Sequence, residues 1–273
     1  MKHTSRKWSL RIIVLGYLGL LVGLPVGFLF VHAFNHGLSA FWHEVTQPNA
    51  VAALKLSAEV ALIAVPVNTV VGILAALILA RQKFFGSRAL ILAFDIPVAV
   101  SPIIIGVALV LAYSRIGWFG QWLGDYGIRI LFTPVGIVMA TMAVSLPYVL
   151  RSVLPVLVEI GEDQDQAART LGAGSFRIFW QVTLPAIRWG VLYGVTLTIA
   201  RTLGEFGAVL VVSGDITGKT QTLPIYIFAV WDQNFDSVGA FAGAFVLASI
   251  SIVALIILSG LHAHERKLHV DLA

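Results

Sequence analysis

Gly161-Glu162-Asp163-Gln164-Asp165-Gln166-Ala167-Ala168-Arg169-Thr170-Leu171-Gly172-Ala173-Gly174-Ser175, continuing to Val182-Thr183-Leu184-Pro185, is a polar island in an apolar chain. Three acids, Glu162, Asp163 and Asp165, precede a run of small residues, which suits a helix start facing its own dipole. Gly172 stands where a C-terminal cap falls. The segment therefore predicts a helix of about two turns, too short to hold alone in water. It needs a partner surface, and the small Ala167 and Ala168 suit a close-fitting groove.

The surroundings say where that surface lies. Of the 273 residues, 58% are hydrophobic and 12% are charged, and mean hydropathy is +0.91. An ordinary soluble domain carries about 25% charged residues, so a soluble enzyme and a disordered chain are both excluded. A membrane-crossing helix needs about 20 mostly apolar residues. Six such runs are read at about 12–34, 56–80, 89–113, 134–154, 186–212 and 238–261. The first exceeds 20 residues and is read as a retained helix rather than a cleaved leader. The chain is taken as one domain, 1–273, with residues 162–185 protruding between the fourth and fifth spans.

Charge orients the bundle. Thirteen of the 18 basic residues fall at the amino end (Lys2, Arg6, Lys7, Arg11), after span two (Arg81, Lys83, Arg88), between spans four and five (Arg151, Arg169, Arg177, Arg188) and in the tail (Arg266, Lys267). Positive residues stay inside, so both termini and the 162–185 segment are expected in the cytoplasm. Gly19, Gly23 and Gly27 in span one, and Gly239 and Gly243 in span six, are spaced for close helix contact. That contact is either within the bundle or at a subunit interface. Pro25, Pro66, Pro97, Pro102 and Pro147 are expected to kink their spans. The run Asp95-Ile96-Pro97 to Val100-Ser101-Pro102 looks like a partly polar helix lining a path.

The 162–185 segment resembles the signature of the membrane subunits of ABC importers: Glu-Ala-Ala, three residues, Gly, nine residues, Ile, one residue, Leu-Pro. Ala167-Ala168, Gly172 and Val182-Thr183-Leu184-Pro185 keep that spacing, with Gln166 in place of Glu and Val182 in place of Ile. The resemblance implies a type I, six-helix all-α permease with a cytoplasmic coupling helix that docks on a separate ATPase. Asp165, Gln166, Ala167, Ala168, Arg169, Leu171, Gly172, Ala173, Leu184 and Pro185 would carry that coupling. Ala200-Arg201-Thr202-Leu203-Gly204-Glu205-Phe206-Gly207 is similar to a run in the sulfate, molybdate and tungstate branch. The Asp95–Gly106 stretch, with Ala64-Val65-Pro66-Val67-Asn68-Thr69 and Gly117-Trp118-Phe119-Gly120, resembles the W-type sulfate/thiosulfate permeases. What this implies is half of a sulfate or thiosulfate path, paired with a related permease subunit. Two ATPase subunits would bind below, holding ATP-Mg, and a periplasmic binding protein would deliver cargo to loops around 35–55, 114–132 and 213–237. The permease itself would bind no cofactor and catalyse nothing, in a bacterial inner membrane. A molybdate or tungstate permease and an ATP-independent anion transporter are the alternatives.

A charge at mid-membrane costs about 2.5–3.5 kcal/mol on insertion scales. Arg201, well inside span five, and Glu205, one turn on, read as an internal ion pair, a gate, or a cation met by a dianion. Asp95, Ser101 and Phe206 join them as tentative path or gate residues, with Arg81 or Arg88 a possible partner for Asp95. Other features point elsewhere only superficially. Ser213 to Thr220 resembles a phosphate loop, but its glycines, Gly214 and Gly218, are spaced one residue too closely. His262, His264 and His269 lack acids in register for a metal, and there is no cysteine. The basic residues form no stripe with aromatics, so nucleic acid is not expected as a partner.

Overall fold

In lipid a backbone can satisfy its polar groups only against itself, so long apolar runs become helices. The computed structural model describes residues 11, 13–82 and 84–270, without the side chains of 255, 258, 259 and 261–270. Lys2, Arg6, Lys7, the span-one start at Ile12, Lys83, and the side chains of His262, His264, Arg266, Lys267 and His269 lie outside the described residues.

In chain order the helices are α1 (Ile13–Ala33), α2 (Leu38–Val45), α3 (Pro48–Arg81), α4 (Ser87–Ala99), α5 (Pro102–Tyr113), α6 (Gly120–Asp125) and α7 (Pro134–Ile160). There follow α8 (Asp163–Thr170), α9 (Ser175–Leu203), α10 (Gly207–Ser213), α11 (Leu223–Asp232) and α12 (Ser237–Val270). The rods α1, α3, α7, α9 and α12 are each long and apolar enough to cross a membrane. The sixth crossing is not one rod. α4 and α5 meet at a bend of 111°. Their connection still passes from one end of the bundle to the other. Arg81, at the end of α3, touches Asp165 of α8, whereas Phe132, just before α7, donates its N–H to the Val212 carbonyl at 3.0 Å.

These bounds correct several expectations. The second span begins at Pro48 rather than 56, and the fourth runs to Ile160, with Arg151 well inside it and not in the loop with which it was counted. The fifth is broken: α9 stops at Leu203, and α10 restarts at Gly207. Residues 213–237 are not an open loop, because Thr220, Gln221 and Thr222 are buried and α11 packs on α3. Nor does every proline kink its helix. Pro66 lies within the unbroken 34-residue α3. The sharp break comes before Pro102, whose ring disfavours the helical region for Ser101, found at φ −59°, ψ 136°.

α7 is the hub of the bundle. A Cβ on Gly72 of α3 would lie 2.7 Å from Val149 Cβ, and one on Gly194 of α9 would lie 2.9 Å from Val149 Cα. Backbones thus approach through small residues where lipid supplies no hydrophobic drive. Buried Asn68 of α3 adds a polar tie, donating to the Met142 carbonyl (3.0 Å) and to Ser145 Oγ (2.8 Å) on α7. The glycines of α1 behave otherwise: at Gly19, Gly23 and Gly27 an added Cβ would meet nothing within 4 Å among the described residues. Gly239 and Gly243 pack within it, against Val230 and Ile227. α1 leans on α12 through ring contacts, Phe28 on Phe241 and Phe30 on Phe245.

The two broken spans are pressed together. A Cβ on Gly106 of α5 would lie 2.7 Å from the Ala208 carbonyl of α10, and one on Gly207 would meet Pro102 and Ile103. Gly106→Val therefore drives a side chain into backbone that cannot rotate away. The expected cost is about 1–3 kcal/mol, read as a lowered unfolding temperature of the detergent-solubilised protein, with Gly106→Ala milder.

Candidate functional site

Two clusters of polar residues interrupt the apolar bundle, one at its end and one inside. The end cluster is built on α8. Gly161, at φ +71°, lets the chain turn sharply out of α7, and Gly172, at φ +83°, ends α8 with paired caps. The Gly172 N–H reaches the Arg169 carbonyl (2.9 Å) and the Ala173 N–H the Ala168 carbonyl (3.0 Å), the pattern of a Schellman motif. Asp163 and Asp165 occupy the first turn, where the dipole favours them.

Asp165 does not face outward with the other coupling candidates. Its carboxylate turns into the bundle, paired with Arg81 (Nη2 to Oδ2, 2.9 Å) and accepting from the Thr183 hydroxyl (3.2 Å). Arg81 also donates to the Gly161 carbonyl. One guanidinium and one carboxylate thereby tie α8 to the end of α3 and to the π turn Phe179–Thr183 of α9. Leu184 packs into the core beside α7, and Pro185 opens the straight part of α9. Gln166, Ala167, Arg169 and Leu171 point to solvent, Leu171 with 89% of its surface exposed, while Ala168 and Ala173 are half-buried. Phe176 and Trp180, with ring centroids 6.1 Å apart, extend the same exposed apolar surface. Sequence reading missed these two, although their aromatic character beside the acids was visible. It also missed Thr183.

The inner cluster holds two ion pairs. Arg201, in the last turn of α9, meets Glu205 at 2.5 Å, as the spacing led one to expect. Glu205, however, lies in the break and not on a continuing helix. Its other oxygen accepts the Ala208 N–H (2.9 Å) at the start of α10, so the pair fastens both sides of the break. The Glu205 side chain is buried, 2% exposed, and that of Arg201 is 28% exposed. Phe206 stacks edge-on against Phe228 of α11.

Asp95 of α4 pairs with Arg151 of α7, and with neither Arg81 nor Arg88. Arg151 presents Nε (2.9 Å) and Nη2 (2.8 Å) to one carboxylate oxygen. The Arg151 side chain is 49% exposed and that of Asp95 36%. Ser101 is exposed at the bend, and its hydroxyl makes no cap bond to α5.

At the opposite end from α8, an open cleft of 910 Å³ is lined by Arg115, Asp125 and Arg129, among others. The loop resembling a phosphate cradle is folded on itself. Thr220 donates to the Ser213 carbonyl (2.8 Å), and Asp215 accepts from Gln221 (2.7 Å) and Gln233 (2.8 Å). Those donors are spent within the chain, which leaves no cradle. Among the described residues no group of His, Cys, Asp and Glu could hold a metal.

Residues 68–267 match the family described as binding-protein-dependent transport system inner membrane component. The chain is 46% identical over 251 residues to the sulfate transport system permease protein CysW of Synechocystis sp., covering 92% of this chain and 91% of that protein. It is 34% identical over 263 residues to CysT of the same organism, covering 96% and 91%. Its fold is that of the crystallised bacterial alginate ABC transporter in complex with an alginate pentasaccharide-bound periplasmic protein, with a TM-score of 0.76 at 17% identity, over 98% of this chain and 97% of that one.

Proposed function

Because the chain belongs to the inner membrane components of binding-protein-dependent transport systems, we propose that it is the membrane-spanning permease subunit of an ATP-driven sulfate/thiosulfate importer. Identity to a sulfate permease along nearly the whole chain supports the cargo. Similarity to CysW and CysT of a single organism supports pairing with a related, non-identical permease. A periplasmic binding protein delivers the anion, as the alginate relative is seen with one. Residues 1–273 act as one permease domain with both termini in the cytoplasm of a bacterial inner membrane. The chain binds no cofactor. Two ATPase subunits hold ATP-Mg and perform the hydrolysis.

The observation that carries this reading is the 162–185 segment. It stands off the end of the bundle, fastened by Asp165 to Arg81 and Thr183, with Leu171, Phe176 and Trp180 turned outward. A short helix with exposed apolar side chains is unstable unless covered. The ATPase is the cover, and its closure pushes the segment against α3 and α9, which carry the movement to the two breaks. The experiment is uptake of radiolabelled sulfate by cells lacking their own sulfate permeases. Uptake is expected only when the chain, a CysT-like partner, the ATPase and the binding protein are all expressed. Uptake without the ATPase would replace this reading with an ATP-independent transporter, and selective uptake of molybdate would change the cargo.

A further inference from the structure

Arg151 of α7 and Arg201 of α9 stand within the apolar rods, each paired with a carboxylate, and neither is fully buried. Lipid is a poor neighbour for a partly exposed arginine, so the open side of each must face water or protein. The contact of Gly194 with Val149 and Ser152 sets Arg151 level with about residue 193 of α9. Arg201 lies eight residues further on, about 12 Å nearer the outer end. Each arginine is matched by one carboxylate of the same chain, Asp95 and Glu205, which is less exposed than its partner.

We propose that Arg151 is an anion-binding station on the inner half of the path, receiving a tetrahedral oxyanion after Arg201, with Asp95 as the counter-charge that lets the anion go. This rests on the anion-importer reading above. A guanidinium presents paired donors that suit an oxyanion. Left alone in a low-dielectric path it would hold a dianion too firmly to conduct, and passage requires weak binding at more than one site. The carboxylate cancels its charge when the station is empty. It competes for the same donors when the anion is present. Asp95 sits on α4, one arm of the bend, so movement of that arm draws it toward or away from Arg151.

The test uses the assembled complex in lipid nanodiscs and proteoliposomes, with labelled sulfate. Arg151→Gln is expected to lower uptake at least tenfold, and Arg151→Lys, which keeps charge but loses the fork, about threefold. Asp95→Asn is expected to slow uptake while raising the amount of sulfate retained by the complex after rapid gel filtration. Co-purification of the partner subunits checks assembly in each case. A merely structural pair would behave differently: Arg151→Gln and Asp95→Asn would fall equally, neither would retain more sulfate, and the exchange Arg151→Asp with Asp95→Arg would restore uptake. That pattern, or unchanged uptake in Arg151→Gln, overturns the proposal. Should the wild-type complex carry another oxyanion instead, the cargo assignment fails. The same variants then read the station with that anion.

Discussion

Glu205→Gln abolishes sulfate uptake and destabilises the solubilised protein by about 3 kcal/mol, at the lower end of the range for a buried pair that loses one partner. The lower end applies because the amide oxygen can still accept the Ala208 N–H and because the Arg201 side chain keeps 28% of its surface open. What is lost is the counter-charge inside the membrane and the fastening across the break between α9 and α10. Denaturant unfolding in detergent measures the first effect and labelled uptake the second. Adding Arg201→Gln removes the orphaned cation and should recover most of the stability, since the penalty lies in the uncompensated charge. Uptake should stay absent, because the double variant has no cation at that depth. Recovery of uptake along with stability would reduce the pair to a structural role.

Arg81→Ala separates hydrolysis from transport. Arg81 binds both the entry to α8, at Gly161, and its first turn, at Asp165. Without it α8 would keep its capped helical form and its outward apolar surface, so the proposed ATPase is expected still to dock and still to hydrolyse ATP. The push no longer reaches α3. Sulfate moved per ATP should fall at least tenfold, a size in keeping with losing a largely buried charged pair. Arg81→Lys, a point charge that can meet Asp165 without also reaching Gly161, should recover part of it. An unchanged ratio in reconstituted vesicles would mean that force enters through α9 alone.

Much of this was legible in the residues and some was not, for identifiable reasons. Apolar length revealed the rods, and Gly172 after a run of acids and alanines revealed α8, because caps and dipoles act within a few residues of sequence. The Arg201–Glu205 pair was legible from its spacing, yet that spacing was read as one turn of a continuous helix. A chain break keeps the same distance, and hydropathy does not register it. Arg151 was counted with the loop because it carries a charge, although the apolar run reached Leu154; α7 continues to Ile160 on the strength of its packing with α3 and α9. Asp95 was given the wrong partner for the same reason. Which arginine a carboxylate meets across 56 residues of chain is a property of helix packing, and no local pattern encodes it. Prolines were over-read. Five look alike in sequence, but only the one preceded by an extended Ser101 broke its span.

The uneven grip of the bundle has a mechanical consequence. α3, α7 and α9 are joined by glycine-to-backbone approaches and by the Asn68 tie, a stiff mast. The α4–α5 arm is held to that mast by buried Phe94 and the Asp95–Arg151 pair below and by Ile105 and Leu109 beside Ala140 and Val144 above, and to α10 by Gly106. Bent by 111° at its middle, the arm is the lightest part of that frame, and a swing of it would leave the mast as it is. A cargo as small as a single oxyanion then needs no wholesale rearrangement of the chain to get by, only a modest swing of its lightest part.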